Sequence, residues 1–253
     1  MVLFSTWKGR SFDLGKMTLR DLIKAYATYY AIQVYVALAV VSIIATFPLA
    51  TGWIGPLLAA GAIVVLYPVV WYVLHRFVLH SQYLYRFKST AAVWKRIHFD
   101  HHQDPHRLEV LFGALYTTLP TIVVVTVPVG WAIAGPAGAT AALAAGLLMT
   151  CVYEFVHCIQ HLNFQPRSKW LQHMKTHHLL HHFHHEDGNY GITNFAVDRA
   201  LGTYYDKAKD RPRSASVYNL GYDEEKAKQY PWVAEKTGHL PRARPPGARQ
   251  QEA

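Results

Sequence analysis

The sequence predicts an all-α integral membrane protein, with four transmembrane helices in two hairpins and a histidine-rich helical cap on the cytoplasmic side. Three observations predict it. Charged residues make up 16% of the 253, against about 25% in ordinary soluble proteins. No Asp, Glu, Lys or Arg occurs from Ala25 to Leu74 or from Val110 to Tyr153, whereas even a core helix of a soluble protein keeps a wet face. Fifteen of the sixteen histidines fall between His75 and His185.

Each uncharged stretch is long enough for two spans of about 20 residues. The first span is expected near 27–47 and the second near 54–75, with Pro48, Gly52, Gly55 and Pro56 punctuating the turn. The third is expected near 111–132 and the fourth near 138–160, parted by Gly130, Gly135, Pro136 and Gly138. The basic residues fall in three segments, Lys8 to Lys24, Arg76 to Arg107 and Arg167 to Arg249. Four spans put all three on one side, which the positive-inside rule makes cytoplasmic. The net charge of +9 therefore reads as topology and contact with anionic lipid. It does not read as nucleic-acid binding, which needs base-reading or aromatic partners on a soluble domain.

The expected organisation is a cytoplasmic or interfacial N-terminal segment (1–26), a four-span membrane domain with its cap (27–205) and a polar cytoplasmic tail (206–253). Gln82 to His106 is expected to lie along the cytoplasmic face as a helix. A further helix is expected over Ser168 to His185, ended by the turn at Gly188 to Gly191. The tail finishes with Pro241, Arg242, Arg244, Pro245, Pro246 and Arg249, a loose composition. Trp7, Trp53, Trp71 and Trp131 are expected at the two interfaces. Cys151 and Cys158, both in the fourth span, read as small apolar side chains rather than a disulfide framework. No secretory signal peptide is recognisable, and the first span can serve as the insertion signal.

The histidines form four spaced sets: His75-x4-His80, His98-x2-His101-His102, His157-x3-His161 and His178-x2-His181-His182. Residues at i, i+3 and i+4 share one helix face, so each of the last three sets aims its imidazoles at one point. His75 and His80 would stand about 140° apart on an ideal helix. Either that helix breaks near Phe77 or the two reach different metals. Ten imidazoles exceed the three or four protein ligands of a single site, so the cap is expected to carry a di-metal site with about five at each ion. His173, His177, His184 and His185 crowd the last set, where His181-x2-His184-His185 repeats the spacing in another register. His106 and His239 read as ordinary residues. Glu154 and Asp100 are candidates for hydrogen-bonding a ligating imidazole, and Asn189 and Tyr190 for lining a lipid entrance.

Imidazole suits iron, zinc, copper and nickel alike. The setting narrows the chemistry. Metals at a membrane surface beside apolar spans suit oxidation of a lipid chain. Its C–H bonds offer no charge to acid–base groups and need a metal-generated oxidant in a dry site. His178-Leu179-Leu180-His181-His182-Phe183, with the four sets in this order, resembles the fatty acid hydroxylase/sterol desaturase superfamily. Gly188-Asn189-Tyr190-Gly191-Ile192-Thr193 and Asp198-Arg199-Ala200-Leu201-Gly202-Thr203 are similar to the stretch after the last histidine box of fatty acid 2-hydroxylases. His98-Phe99-Asp100-His101-His102, followed by Pro105, Arg107 and Leu108, resembles their second box. The four-residue gap between His75 and His80 is closer to those enzymes than to sterol desaturases, which usually have three. The resemblance covers roughly 55–205.

That resemblance implies a membrane-bound non-haem di-iron oxygenase that hydroxylates a lipid acyl chain, at C2, with dioxygen as co-substrate. It also fixes the register of the last box at His178. Zinc can replace iron in purified protein. The fused cytochrome b5 domain of eukaryotic relatives, with its His-Pro-Gly-Gly motif, is not found here, so a separate donor, cytochrome b5-like or a ferredoxin, is expected. Other readings are desaturation of a lipid or sterol, hydroxylation of an aminolipid, and, outside enzymes, a histidine-rich metal transporter or a structural metal-binding membrane protein. A transporter needs polar residues along its spans, and these spans offer only Gln33 and hydroxyls at mid-depth. The Ala/Gly-rich spans point to a bacterial inner membrane, with the endoplasmic reticulum as the alternative.

Overall fold

The structure, a computed structural model, describes residues 11–238. Trp7, Lys8, Arg10, His239 and the Pro/Arg-rich end of the tail lie outside the described residues. The described chain is helical, with one isolated bridge between Asp13 and Arg107 and no strand.

Helix α1 (Leu19–Thr28) opens with a capping box in which Thr18 and Asp21 satisfy each other's backbone N–H groups. Three helices follow that are long and apolar enough to cross a membrane: α2 (Tyr30–Leu49), α3 (Ile54–Leu74), whose apolar run extends to Leu79, and the last long helix, which ends at His161. Val41, Ile44, Leu57, Val65 and Val124 are among their side chains left exposed. An apolar surface of that extent is stable against lipid rather than water.

Between α3 and the last long helix lie α4 (Lys88–Trp94), α5 (Asp100–Gln103) and α6 (Leu108–Leu111), and the long helix itself is α7 (Leu115–His161). The single surface helix expected over Gln82 to His106 is therefore broken into short pieces. The third span starts later than expected, because Phe112 and Ala114 are extended.

Helix α7 is two legs rather than one rod. Ala134 (φ −148°, ψ 33°) and Gly135 (φ 56°, ψ −145°) leave helical geometry, and the positive φ at Gly135 is one that L side chains rarely adopt. The legs then run back along each other. A Cβ on Gly138 would lie 2.2 Å from the Gly130 carbonyl oxygen, and one on Gly146 would lie 2.5 Å from Thr126 Cγ2. Of the four residues expected to part the legs, only Gly135 departs from helical dihedrals, while Gly130 and Gly138 let the backbones touch. This reversal adjoins the α2–α3 turn, since a Cβ on Gly55 would meet Ala134. Trp53 and Trp131, both exposed, mark that end. Hydroxyls tie the legs to their neighbours: Tyr67 Oη donates to Thr150 Oγ1 at 3.1 Å, and Thr46 and Thr140 share a 2.8 Å hydrogen bond.

At the opposite end, α8 (Lys169–Phe183) starts from Ser168, whose side chain accepts from Leu171 N–H. Helices α9 (Ala196–Ala200), α10 (Glu224–Gln229) and α11 (Trp232–Thr237) complete the cap. Residues 206–238 are not a loose tail. Leu220, Tyr222, Ala227 and Val233 are buried against Tyr85, Trp94 and Phe99 in a second core. Buried Leu14 acts as a strap: its N–H donates to the His106 carbonyl and its carbonyl accepts from Asn163 N–H.

Gly138→Leu puts a side chain against the backbone of Gly130, which cannot yield as a flexible side chain would. The expected cost is about 1–3 kcal/mol or more, read as a lowered melting temperature of the detergent-purified protein. Gly52→Ala, with open space around its Cβ, should leave the melting temperature unchanged.

Candidate metal centre

The first histidine pair shows how the chain solves its own spacing problem. His75–Leu79 is a π-turn, closed by His80 N–H donating to the His75 carbonyl at 3.0 Å. In an i→i+5 turn five residues complete about one revolution, so both rings lie on one face with centroids 4.9 Å apart. The pair neither breaks at Phe77 nor reaches two sites. A second π-turn, Lys95–Phe99, carries His98 to within 4.7 Å of the His102 ring.

Two groups of imidazoles result. His101, His157, His161, His178 and His182 each offer a ring nitrogen within 4.8 Å of the others, and so do His75, His80, His102 and His181. His98 falls outside both sets by that measure. Its ring still lies 4.9 Å from that of His75 and 4.7 Å from that of His80, with Nε2 buried and unpartnered. The groups adjoin, since the rings of His102 and His182 stack at 4.1 Å.

Within the larger group, Nε2 of His157 lies 3.1 Å from that of His101 and 3.0 Å from that of His178, and His161 Nε2 lies 2.8 Å from His178 Nε2. Nitrogen lone pairs approach so closely only around a proton or a cation. Two nitrogens at about 2.1 Å from one ion and at right angles to each other stand about 3 Å apart, which is the spacing seen. In the other group the tautomers are set from outside. Nδ1 of His75 donates to the Tyr190 carbonyl at 2.7 Å, that of His102 to Val217 at 3.0 Å and that of His181 to Gly188 at 2.8 Å. Each bond leaves the inward Nε2 as the lone-pair nitrogen, and the Nε2 atoms of His75, His80, His98, His102 and His181 are all buried without a partner. Backbone carbonyls orienting imidazoles in this way are the usual outer support of a metal ligand. Burial also keeps these rings neutral, holding His98, His101, His178 and His181 well below the ordinary histidine value and His102 at about 3. Ligation requires that neutral form.

The remaining candidates fall elsewhere. Asp100 is taken by Lys95, which donates to it at 2.7 Å. Buried Glu154 accepts the Gly113 N–H at 3.0 Å rather than an imidazole N–H. It lines a cavity of about 170 Å³ beside the clusters, walled by Leu74, Val78, Leu79, Ile97, Leu111 and Tyr153 together with His75, His98, His101, His157, His178 and His182. Trp71, expected at an interface, lines the same cavity, stacked on Tyr153 at 5.2 Å. Asn189 and Tyr190, expected at a lipid entrance, do not line it. Asn189 (φ 53°) exchanges two 3.0 Å hydrogen bonds with the Tyr205 backbone, and the Tyr190 ring covers His75, His80 and His181. His106 donates to the His161 carbonyl, His184 to that of Arg211 and His177 to that of His173, while His185 accepts from Asp187 N–H. None of these four, nor His173, joins a cluster.

Sequence reasoning missed the carbonyls of Tyr190, Val217 and Gly188. It also missed Asp198, whose buried carboxylate accepts the N–H groups of Tyr190 and Gly191 and the Thr203 hydroxyl. The Gly188–Gly191 run hinted at a tight loop, but nothing in it says which carbonyl faces a histidine.

Comparison with known proteins gives a consistent result. The model of a family described as fatty acid hydroxylase matches residues 60–203, against the 55–205 expected. Dihydroceramide fatty acyl 2-hydroxylase FAH2 of Arabidopsis thaliana is 33% identical over 169 residues, which are 65% of this chain and 67% of that protein. Ceramide very long chain fatty acid hydroxylase SCS7 of Saccharomyces cerevisiae is 29% identical over 162 residues, 61% of this chain and 39% of the yeast protein. A solved structure of full-length scs7p, with only the hydroxylase domain visible, shares the fold with a TM-score of 0.55 at 23% identity, over 79% of this chain and 71% of that one.

Two outcomes follow from this geometry. Asp198→Ala should release the loop that orients His75, at a cost of about 1–3 kcal/mol, seen as faster amide hydrogen exchange at Tyr190 and Gly191. Acid should also destabilise the protein stripped by chelator. Below the ordinary value of 6.5 the unfolded histidines take up protons while the folded, buried ones do not. Stability then falls as pH drops, by about 1.4 kcal/mol per pH unit for each ring kept neutral, and the melting temperature should decline steadily from about pH 6.5 downward.

Proposed function

The chain belongs to the fatty acid hydroxylase family, and on that premise we propose that it is a membrane-bound di-iron oxygenase that hydroxylates a lipid acyl chain at C2. The observation that carries this reading is the pair of adjoining, buried imidazole clusters at the wall of an apolar cavity. His101, His157, His161, His178 and His182 would hold one ion, and His75, His80, His98, His102 and His181 the other. The orphaned, carbonyl-set Nε2 atoms fit such ions. When bound, the irons supply the redox chemistry: dioxygen, two electrons and two protons yield one hydroxyl on the chain and one water. A separate electron donor delivers the electrons.

The protein's own contribution is position and dryness. Leu74, Val78, Leu79, Ile97 and Leu111 hold the chain in van der Waals contact and exclude water, while His101 and His157 in the same wall fix where the metals stand. The two legs of α7 would make four crossings with α2 and α3, so that the histidines and the basic segments share the cytoplasmic side. The catalytic unit would extend past 205 to the Val217 carbonyl, which sets the His102 tautomer.

Desaturation of the same chain remains the second reading, because it needs the same metals and differs only in whether a second hydrogen is lost. Iron analysis beside lipid mass spectrometry decides. The expected result is two irons per chain and a product heavier by one oxygen atom. A product lighter by two hydrogens would replace hydroxylation with desaturation, and folded protein that binds no metal would overturn the proposal. His101→Ala and His181→Ala, one in each cluster, should each lower bound iron about tenfold or more at a fixed free concentration and abolish product.

A further inference from the structure

We propose that the acyl chain runs from the imidazole clusters, past Trp71 and Thr121, into the groove between α3 and the first leg of α7, and that the closed end of this groove limits the length of chain accepted. This rests on the reading that the site acts on a lipid acyl chain. The cavity at the clusters and a second, narrow apolar pocket of about 20 Å³ share Trp71 and Thr121 in their walls. The two therefore adjoin at that point. Leu66, Val70 and Val125 line the far pocket together with the buried Ile63 and Ile122.

Its polar atoms are already satisfied. Tyr67 Oη donates to Thr150, while the hydroxyls of Thr121 and Thr126 donate to the carbonyls of Thr117 and Ile122. The groove thus presents methyl, methylene and ring surface, and nothing in it would hold a headgroup. Below Ile63 the path is sealed. Ala59, Ile63 and Ala142 form a small core with Val129 and Ala145, and the legs of α7 touch where Gly146 meets Thr126.

The length matches one chain. Ile63 lies about 18 Å below His75 along α3 at about 1.5 Å per residue, close to the roughly 15 Å of one leaflet of a hydrocarbon core. The groove is too narrow for a fused ring system, and its wall opens to the apolar outer surface at Leu66, which is 38% exposed. A straight chain can enter sideways from the bilayer and lie with its reacting end at the clusters.

The test narrows the groove from both walls at residues that are not fully buried, Leu66→Trp and Val125→Trp. The readout is the thermal stabilisation of metal-free, detergent-purified protein by a homologous series of straight-chain fatty amides. For the unsubstituted protein, stabilisation should rise with length and stop rising once the groove is full. In both variants that limit should move to shorter chains, with about tenfold or greater weakening for the longest members and little change for the shortest. The same length profile in both variants, at an unchanged melting temperature without ligand, would overturn the proposal, as would the absence of any length limit in the unsubstituted protein. A second measurement separates this from the catalytic reading. If chains bind with the expected limit but the iron-loaded protein adds no oxygen, the path stands and the hydroxylase reading fails. If products form whose length distribution ignores both substitutions, the reverse holds.

Discussion

Ten imidazoles taken out of water with half their nitrogens unpaired impose a requirement that the rest of the fold is arranged to meet. A buried polar atom without a partner costs roughly 1–3 kcal/mol, and here ten histidine ring nitrogens stand that way. Such an arrangement persists only if something else compensates: packing that holds the rings in place, and lone pairs placed where they could hold a cation. The packing is visible. Each ring is braced by others, His182 by His102 and His101 by His157 and His161, in edge and stacked contacts of 4.1–4.8 Å. The outward nitrogens of His75, His102 and His181 are tied to carbonyls from two separate places in the cap, the Gly188–Tyr190 loop and Val217. The cap is therefore not a lid added to a membrane bundle. It is the outer half of the cluster's support, which explains why residues 206–238 are packed despite a polar composition.

The bilayer supplies the other half. With no water to satisfy backbone groups, spanning segments are restricted to helices, and a helix can present a histidine only on a face and at a depth set by its length. Helices α3 and α7 both end their apolar runs in histidines, so matching lengths deliver His75 and His161 to the same level. The Gly130–Gly138 contact brings the legs of α7 close enough for the second to pack on α3 as well, and Tyr67 to Thr150 fixes their register. A slip of one helical turn there would move His157 by about 5.4 Å and separate it from His101.

Much of this was legible in the sequence because it depends on periodicity and charge. The uncharged stretches from Ala25 to Leu74 and from Val110 to Tyr153 marked the membrane helices, and the i, i+3, i+4 spacings marked which histidines share a face. Register within His173–His185 was not legible from spacing alone, since two triplets fit. What separates them is burial: His178, His181 and His182 are enclosed, while His184 and His185 remain partly exposed on the far side of the helix end. Least legible were contacts made by backbone atoms and by distant residues. Glu154 and Asp100 looked like partners for histidines because carboxylates often are, yet a loop amide and a lysine claim them. Three carbonyls, which carry no sequence signature, perform the role instead. Asn189, expected to line a lipid entrance, is a buried pin whose left-handed backbone asparagine tolerates better than most residues.

The π-turn at His75 ties the local and global constraints together. A gap of four residues between histidines is wrong for an α-helix and right for an i→i+5 turn, so the odd spacing and the rare turn are one fact rather than two. Removing one intervening residue would leave three between the pair, which an α-helix places on one face without any bulge. Gaps of three and four are then alternative solutions to a single requirement, two imidazoles on one face at the end of α3. They are not interchangeable, however. The π-turn widens the helix and advances less along its axis for each residue, so it changes the depth at which His80 meets His102 and His181 and the width of the cavity beside Val78 and Leu79. The gap length therefore acts on the space offered to the substrate as well as on the clusters, and local backbone geometry at the first histidine pair becomes a determinant of what the site can hold.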